Sequence, residues 1–309
     1  MSDLNVYYCL TRAAAVLSAT GPDAFTFLQS QFSNELRHPE VENPVTYGLW
    51  LDHKGKIQAD SFIIQKSPES FMLVSYDSPV AVVQGHLDAH LIADEVTLTN
   101  ETENLALLQV WSDGYDQSLA ELIDGLAREA NAEAWMGHGS TSSCSWDILA
   151  PWPVLEKIAK DLEAFGIEPS TKEARLAARL VLGIPSVPKD AGPGDLPQEA
   201  GLDRHAVAYD KGCYIGQEIM QRLHTQAHVT RNLWQVSWDV KVTKKDGEEK
   251  VPLYVDDAEV GDLRTYVISE TGGLGLAMLK NRAVVGVQAL SFSPKGPKVV
   301  RLMRNLVEG

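Results

Sequence analysis

The sequence predicts an α+β fold of two consecutive lobes, followed by a small all-β unit at the C-terminal end. Up to about residue 182, apolar runs of strand length alternate with segments of helical period, and the order of elements is similar in each half. From about residue 232 the helices give way to short apolar runs separated by turn residues, the texture of a small barrel or sandwich. The length, 309 residues, suits two domains or one large one. A boundary near 230 divides the chain into 1–230, with lobes at about 1–103 and 104–230, and 231–309.

Gly21-Pro22-Asp23 opens a helix with proline in its first turn and Phe25, Leu28 and Phe32 on one face. Strand-like runs at 47–52 and 57–64 flank His53-Lys54-Gly55, whose glycine suits a hairpin turn. A strand at 71–76 precedes a helix opened by Pro79, with Val83, Leu87 and Leu91 inward, and a strand returns at 95–99. In the second half, a strand at 105–111 leads to a helix at 117–130 carrying Leu119, Leu122, Ile123 and Leu126. Residues 134–149 read as extended, and 154–165 as a helix stopped by Gly166. A further helix at 171–182 ends at Gly183 and Pro185. Residues 186–206, rich in Pro, Gly and Asp, form a long ordered loop or a linker, and 207–209 a short strand before a helix at 217–223. In the last unit Trp234, Val236, Trp238 and Val240 alternate, and strands are expected at 251–255, 263–268, 283–290 and 299–303. Asp246-Gly247, Asp256-Asp257 and Gly272-Gly273 mark turns.

Apolar residues at 44% and charged residues at 22% exclude disordered and fibrous chains. Lys and Arg total 27 against 42 Asp and Glu, a net charge of −15, so free-standing binding to nucleic acid or anionic membrane is disfavoured. Cys9, Cys144 and Cys213 form neither a disulfide framework nor a zinc pattern, which fits a reducing compartment. The early apolar run at 13–19 is too short for a leader, and no run spans a membrane, so a soluble cytoplasmic protein is expected. His224 and His228 share helical spacing without a third ligand, and no metal site is expected.

The chemistry concentrates at Lys211-Gly212-Cys213-Tyr214-Ile215-Gly216-Gln217-Glu218. Gly212 and Gly216 allow close backbone approach. Cys213 falls just before a helix N-terminus, two residues from Lys211, and both features favour a thiolate. A small buried hydrophobe is the bland alternative.

This octapeptide resembles the signature of the YgfZ family, folate-binding relatives of the glycine cleavage T-protein (GcvT, an aminomethyltransferase). Gly183-Ile184-Pro185, Pro197-Gln198-Glu199-Ala200-Gly201-Leu202, Arg222 and Arg231-Asn232-Leu233 resemble flanking blocks of the same superfamily. Weaker similarity at 12–29, 55–60 and 260–279 extends it over nearly the whole chain. The resemblance implies a two-lobed folate-binding α+β region followed by a C-terminal antiparallel β-barrel, with tetrahydrofolate as cofactor. It implies that Glu199 pairs with the pterin ring nitrogens, a carboxylate offering two acceptors to adjacent N–H donors. It implies folate roles for Asp60 and Arg179, and chemical roles for Cys213 and Lys211 within a motif completed by Gly212, Tyr214, Gly216, Gln217, Glu218 and Arg222. Lys172, Arg175 and Arg179 form a basic helix stripe able to hold a glutamyl tail.

T-proteins carry two adjacent aspartates where this chain has Ala59-Asp60, and an asparagine-rich segment where it has Leu73 through Ser78; a glycine usual in the YgfZ branch is Ala227 here. The expected function is therefore assistance in assembling or repairing iron–sulfur clusters in client proteins. A folate-dependent aminomethyl or one-carbon transferase is the alternative.

Overall fold

Three β-sheets organise the described residues. The computed structural model describes residues 5–41, 44–137, 144–226, 229–240 and 250–307, so the expected turn at Asp246-Gly247, Ala227 and His228 lie outside the described residues. After an opening strand β1 (Val6–Thr11), the first lobe runs β2 (Ala15–Thr20), α1 (Ala24–Gln31), β3 (Val45–Leu51), β4 (Ile57–Ser67), β5 (Ser70–Ser75), α2 (Val80–Asp88) and β6 (Thr97–Asn100). Its strands lie in the order β3-β4-β5-β2-β6. The second lobe runs β7 (Ala106–Ser112), α3 (Gln117–Glu129), β8 (Glu133–Met136), β9 (Cys144–Ala150), α4 (Trp152–Ala164), β10 (Glu168–Pro169) and α5 (Lys172–Leu182). Its sheet order is β10-β1-β7-β9-β8, so β1 joins the second lobe, antiparallel to β7 and parallel to β10. The first lobe lends its opening strand to its neighbour.

The two sheets meet face to face, with helices outside. In β2, Leu17 and Ala19 pack with Leu28 of α1 and Val83 of α2, while Val16 turns the other way. In β7, Leu108 and Val110 pack with Leu119 of α3 and Leu155 of α4. Leu107 meets Val16, Phe62 and Leu149 in the layer between the sheets. Covered on both faces, these strands read as continuous apolar runs rather than alternating ones.

Local chemistry fixes the helix ends. The Asp116 carboxylate caps α3 by accepting from the Ser118 and Leu119 N–H groups (2.8 and 3.2 Å). Thr171 caps α5 through its hydroxyl, which accepts from Ala174 N–H at 3.1 Å, and Gly183 ends that helix in the left-handed region. Pro22 lies just outside α1, whose N-cap is Asp23, rather than in its first turn.

The segment 186–206 is an ordered loop holding a 3-10 turn at Pro197–Glu199 and a short helix, α6 (Asp203–Ala206). Residues 207–209, expected as a strand, form none; the Ala208 N–H donates to Ser33 O. After α7 (Gln217–Gln226) come β11 (Arg231–Trp238), β12 (Val251–Val255), β13 (Ala258–Ile268), β14 (Gly273–Lys280), β15 (Ala289–Leu290) and β16 (Val300–Asn305). They order as β12-β13-β14-β11-β16-β15. Tyr254 and Ser291 exchange two backbone hydrogen bonds of 2.9 Å, bringing the edge strands together into a nearly closed antiparallel barrel. The strand expected at 283–290 shrinks to Ala289–Leu290, because a 3-10 turn at Asn281–Ala283 and a left-handed Gly286 break the run. No helix among the described residues is long and apolar enough to cross a membrane.

Candidate functional site

Two adjoining cavities open where the lobes, α5 and the barrel converge. The smaller has a volume of about 380 Å³ and is largely apolar, with Trp111, Ile184 and Val187 in its wall and Asp60 as a buried carboxyl. The larger, about 790 Å³, reaches the barrel at Arg264 and Tyr266. Tyr76, Asp77, Gln109, Arg175 and Arg179 line both.

The β3–β4 hairpin places Asp60. In its register Ala59 turns into the lobe core and Asp60 toward the cavity. The Ser78 hydroxyl donates to Asp60 Oδ1 at 2.6 Å and the Tyr47 hydroxyl to Oδ2 at 3.0 Å. Burial raises the Asp60 pKa to about 7; the two hydroxyl donors lower it in part, and the nearby charge of Asp77 raises it further. Asp60 can therefore hold or release a proton near neutrality, as an acid–base group facing a ligand must. Beside it, the Tyr76 hydroxyl donates to the buried Asp147 at 2.5 Å, and Gln109 Nε2 donates to the same carboxyl at 2.6 Å. Asp147 thus fixes two side chains at the junction of the cavities.

Arg179 lies at that junction and is firmly tied. Its Nη1 donates to Asp190 at 2.5 Å and to Ile184 O at 2.7 Å, stapling the end of α5 to the Gly-Ile-Pro segment. Lys172 and Arg175 line the larger cavity, with the Arg175 guanidinium 5.7 Å above the Tyr76 ring.

Glu199 is buried in the long loop. It lies in the wall of neither cavity. Arg231 Nε and Nη2 donate to its two oxygens at 3.0 and 2.7 Å, and Leu196 N–H donates to Oε2 at 2.9 Å. Arg231 also reaches Asp195 at 3.0 Å, and Asp195 accepts from the barrel residue Arg264 at 2.9 Å. Burial would raise the Asp195 pKa, but Arg264 and Arg231 outweigh it and hold the carboxyl below its usual range. With both oxygens engaged, Glu199 clamps the 186–206 loop to the barrel.

Cys213 lies apart from these cavities on the irregular stretch before α7, exposed, whereas Cys9 and Cys144 are buried. Burial raises the thiol pKa of both buried cysteines. The Lys211 ammonium is buried. It donates to three backbone carbonyls, Gln29 O, Phe32 O and Asn34 O, at 2.7–2.8 Å near the end of α1, and burial draws its pKa down to about 8. Its Nζ also lies 5.2 Å from the ring of Tyr214, which is buried. Gln217 Nε2 donates to Lys211 O, closing the turn. Gly216 adopts φ +83°, and a Cβ there would stand 2.7 Å from Asp52 O and 3.2 Å from Gly55 Cα. The motif is thus seated on the tip of the β3–β4 hairpin. Gly212 faces open space. Glu218 and Arg222 are exposed one turn apart on α7.

The structure therefore brings Asp60 and Arg179 to one cavity, and leaves Glu199 and Cys213 elsewhere. Sequence reading missed Tyr47, Tyr76, Ser78, Gln109 and Asp147. Tyr47 was within reach: it pairs with Phe62 across the hairpin, which makes it the diagonal neighbour of Asp60. Asp147 had no local signal. Among the described residues no group of three His, Cys, Asp or Glu side chains is placed to hold a metal.

Residues 13–149 match the GCVT N-terminal domain. The chain is 24% identical to the tRNA-modifying protein YgfZ of Photorhabdus laumondii over 251 residues, covering 79% of this chain and 72% of that protein. It is 27% identical to the mitochondrial iron–sulfur cluster assembly factor IBA57 of Homo sapiens over 290 residues, covering 88% and 76%. An aminomethyltransferase of Herpetosiphon aurantiacus is 25% identical over 271 residues, covering 84% and 73%. The fold superposes on the glycine cleavage system aminomethyltransferase T of Bartonella henselae with a TM-score of 0.73 at 15% identity, covering 98% of this chain and 86% of that one.

Proposed function

We propose that this chain, which carries a GCVT N-terminal domain and is related to YgfZ and IBA57, assists the assembly or repair of iron–sulfur clusters in client proteins. The observation that carries this reading is the exposed Cys213, held outward on a turn that Gly216 and Lys211 anchor to the first lobe. An accessible thiol can meet a sulfur- or iron-bearing surface on a client; the two buried thiols cannot.

Tetrahydrofolate is the proposed cofactor, bound in the smaller cavity. The fit is chemical: a largely apolar chamber of about 380 Å³, one buried carboxyl able to donate or accept, and cations on the side toward the larger cavity. A reduced folate would supply one-carbon chemistry there. Asp60 would meet polar atoms of its head, and Tyr76 and Gln109, fixed by Asp147, would confine it.

A deletion strain tests the reading, with iron–sulfur enzyme activities and glycine cleavage assayed in parallel. The wild-type chain should restore the iron–sulfur enzymes, and Cys213→Ser, which changes little volume, should fold but fail to restore them. Full rescue by Cys213→Ser would remove the thiol from the function. Asp60 favours a second reading, the aminomethyl transferase, because a carboxyl titrating near neutrality suits proton transfer on a folate-bound group. Turnover of an aminomethylated lipoyl carrier to methylenetetrahydrofolate by the purified protein would favour that reading over the first.

A further inference from the structure

The sheet of the first lobe has two edges, β3 and β6, and they are treated differently. Residues 32–34 cover the outer side of β3: Phe32 bridges to Trp50, and the Ser33 N–H donates to Leu49 O at 3.0 Å. The Asn34 side chain adds a bond to Tyr47 O at 2.8 Å. Strand β6 pairs on one side only, antiparallel to β2. The Glu101 N–H donates to Val16 O at 2.8 Å, which fixes the alternation along the pair. Thr97 and Thr99 therefore direct their backbone groups to β2, and Leu98 and Asn100 direct theirs outward. Those outward groups meet no backbone partner among the described residues. Thr97, Thr99 and Asn100 are exposed, while the Leu98 side chain packs on the lobe core.

The rim of this open edge is acidic. Asp88, Asp94, Glu95, Glu101 and Glu103 lie on the run from the end of α2 to just beyond β6. No Lys or Arg occurs between Lys66 and Arg128, and α1 and α2, which cover the sheet, carry none. Arg12 reaches the far end of the run, but its Nη1 donates to Glu103 O rather than to a carboxylate. None of the five carboxylates has a Lys or Arg in ion-pairing reach among the described residues. Ile92, 90% exposed on the connection into β6, adds an apolar side chain to the same segment.

An open edge is a template for another strand, and charge decides which strand it takes. A second copy of β6 would bring the same carboxylates against themselves. An extended segment bearing Lys or Arg is drawn in. We propose that β6 receives a strand from a partner protein, an extended segment rich in Lys or Arg. Its main chain bonds to Leu98 and Asn100 while its cations meet the rim carboxylates. Strand β6 lines neither cavity, so this surface is independent of any ligand bound there.

Fluorescence anisotropy with the full chain and three labelled peptides tests it: alternating Lys and Val, alternating Glu and Val, and the Lys–Val peptide methylated at every backbone nitrogen. The unmodified Lys–Val peptide should bind at least about tenfold tighter than either control at low salt, and salt should weaken it. Hydrogen exchange should show new protection of the Leu98 and Asn100 amides in that complex. A Glu95→Gln, Glu103→Gln double variant, which alters two exposed side chains, should weaken binding about threefold. Equal binding of the methylated peptide would show attraction by charge alone and overturn the proposal. So would equal binding of the Glu–Val peptide, no binding of the Lys–Val peptide, or protection that spares Leu98 and Asn100.

Discussion

At the scale of single residues, environment sets the chemistry. Asp60 is an ordinary aspartate in sequence, and its burial moves its pKa from 3.8 to about 7, against the opposing hydrogen bonds from Ser78 and Tyr47. Between those values the folded state holds a proton that the unfolded chain has released. Stability therefore falls as pH rises through that window, by roughly 4 kcal/mol in total above pH 7. Asp60→Asn removes this dependence. Denaturant unfolding at pH 5 and pH 8 should show the wild type losing about 2–3 kcal/mol more than the variant over that interval; parallel losses would mean that Asp60 titrates normally. Lys211 teaches the complementary lesson. Sequence proximity makes it a cation for Cys213, but three carbonyls at the end of α1 claim its ammonium and make it an anchor for the turn.

At the scale of elements, the glycines of the cysteine motif part company. Gly216 needs its left-handed φ and meets the hairpin backbone at 2.7 Å, so Gly216→Ala should cost about 2 kcal/mol or more. Gly212 has open space where a Cβ would go, and Gly212→Ala should stay within about 0.5 kcal/mol of wild type. Equal effects of the two substitutions in chemical unfolding would show that the hairpin contact does not hold the motif. Strand β14 illustrates a different limit. Its Gly273 and Gly275 disguise it as a turn-rich segment, but Trp238 and Tyr266 fill the room those glycines leave, and the strand pairs along its full length with β11. Strands β1 and β2 were likewise not expected, because a short apolar run near the chain start has no periodicity to separate it from a buried helix turn.

At the scale of the whole molecule, the Glu199–Arg231–Asp195–Arg264 network joins the long loop to the barrel and bounds the region where the cavities open. Glu199 and Asp195 are almost fully buried and Arg231 about a third exposed, so removing one charge leaves the others poorly compensated but partly solvated. Glu199→Gln should lower unfolding free energy by about 2 kcal/mol. Tetrahydrofolate affinity of the folded variant should stay within about twofold, since Glu199 lines neither cavity. A large loss of affinity at unchanged stability would return Glu199 to the binding site.

What the sequence determined by itself is local. The faces of α2 and α3, the stop at Gly183, the hairpin around Gly55 and the position of Cys213 before α7 all follow from contacts within a few residues, which periodicity and turn chemistry encode. Periodicity also showed two lobes and a small all-β unit, and the resemblance of the motifs to the YgfZ family agreed with that reading. The tertiary structure alone decided what burial and long-range pairing control. Lys211 is held by carbonyls some 180 residues earlier in the chain, Arg179 and Asp60 meet across more than 100 residues, and Tyr76 reaches Asp147 from the other lobe. A side chain's charge and partners depend on which surfaces pack around it, and no local pattern carries that information.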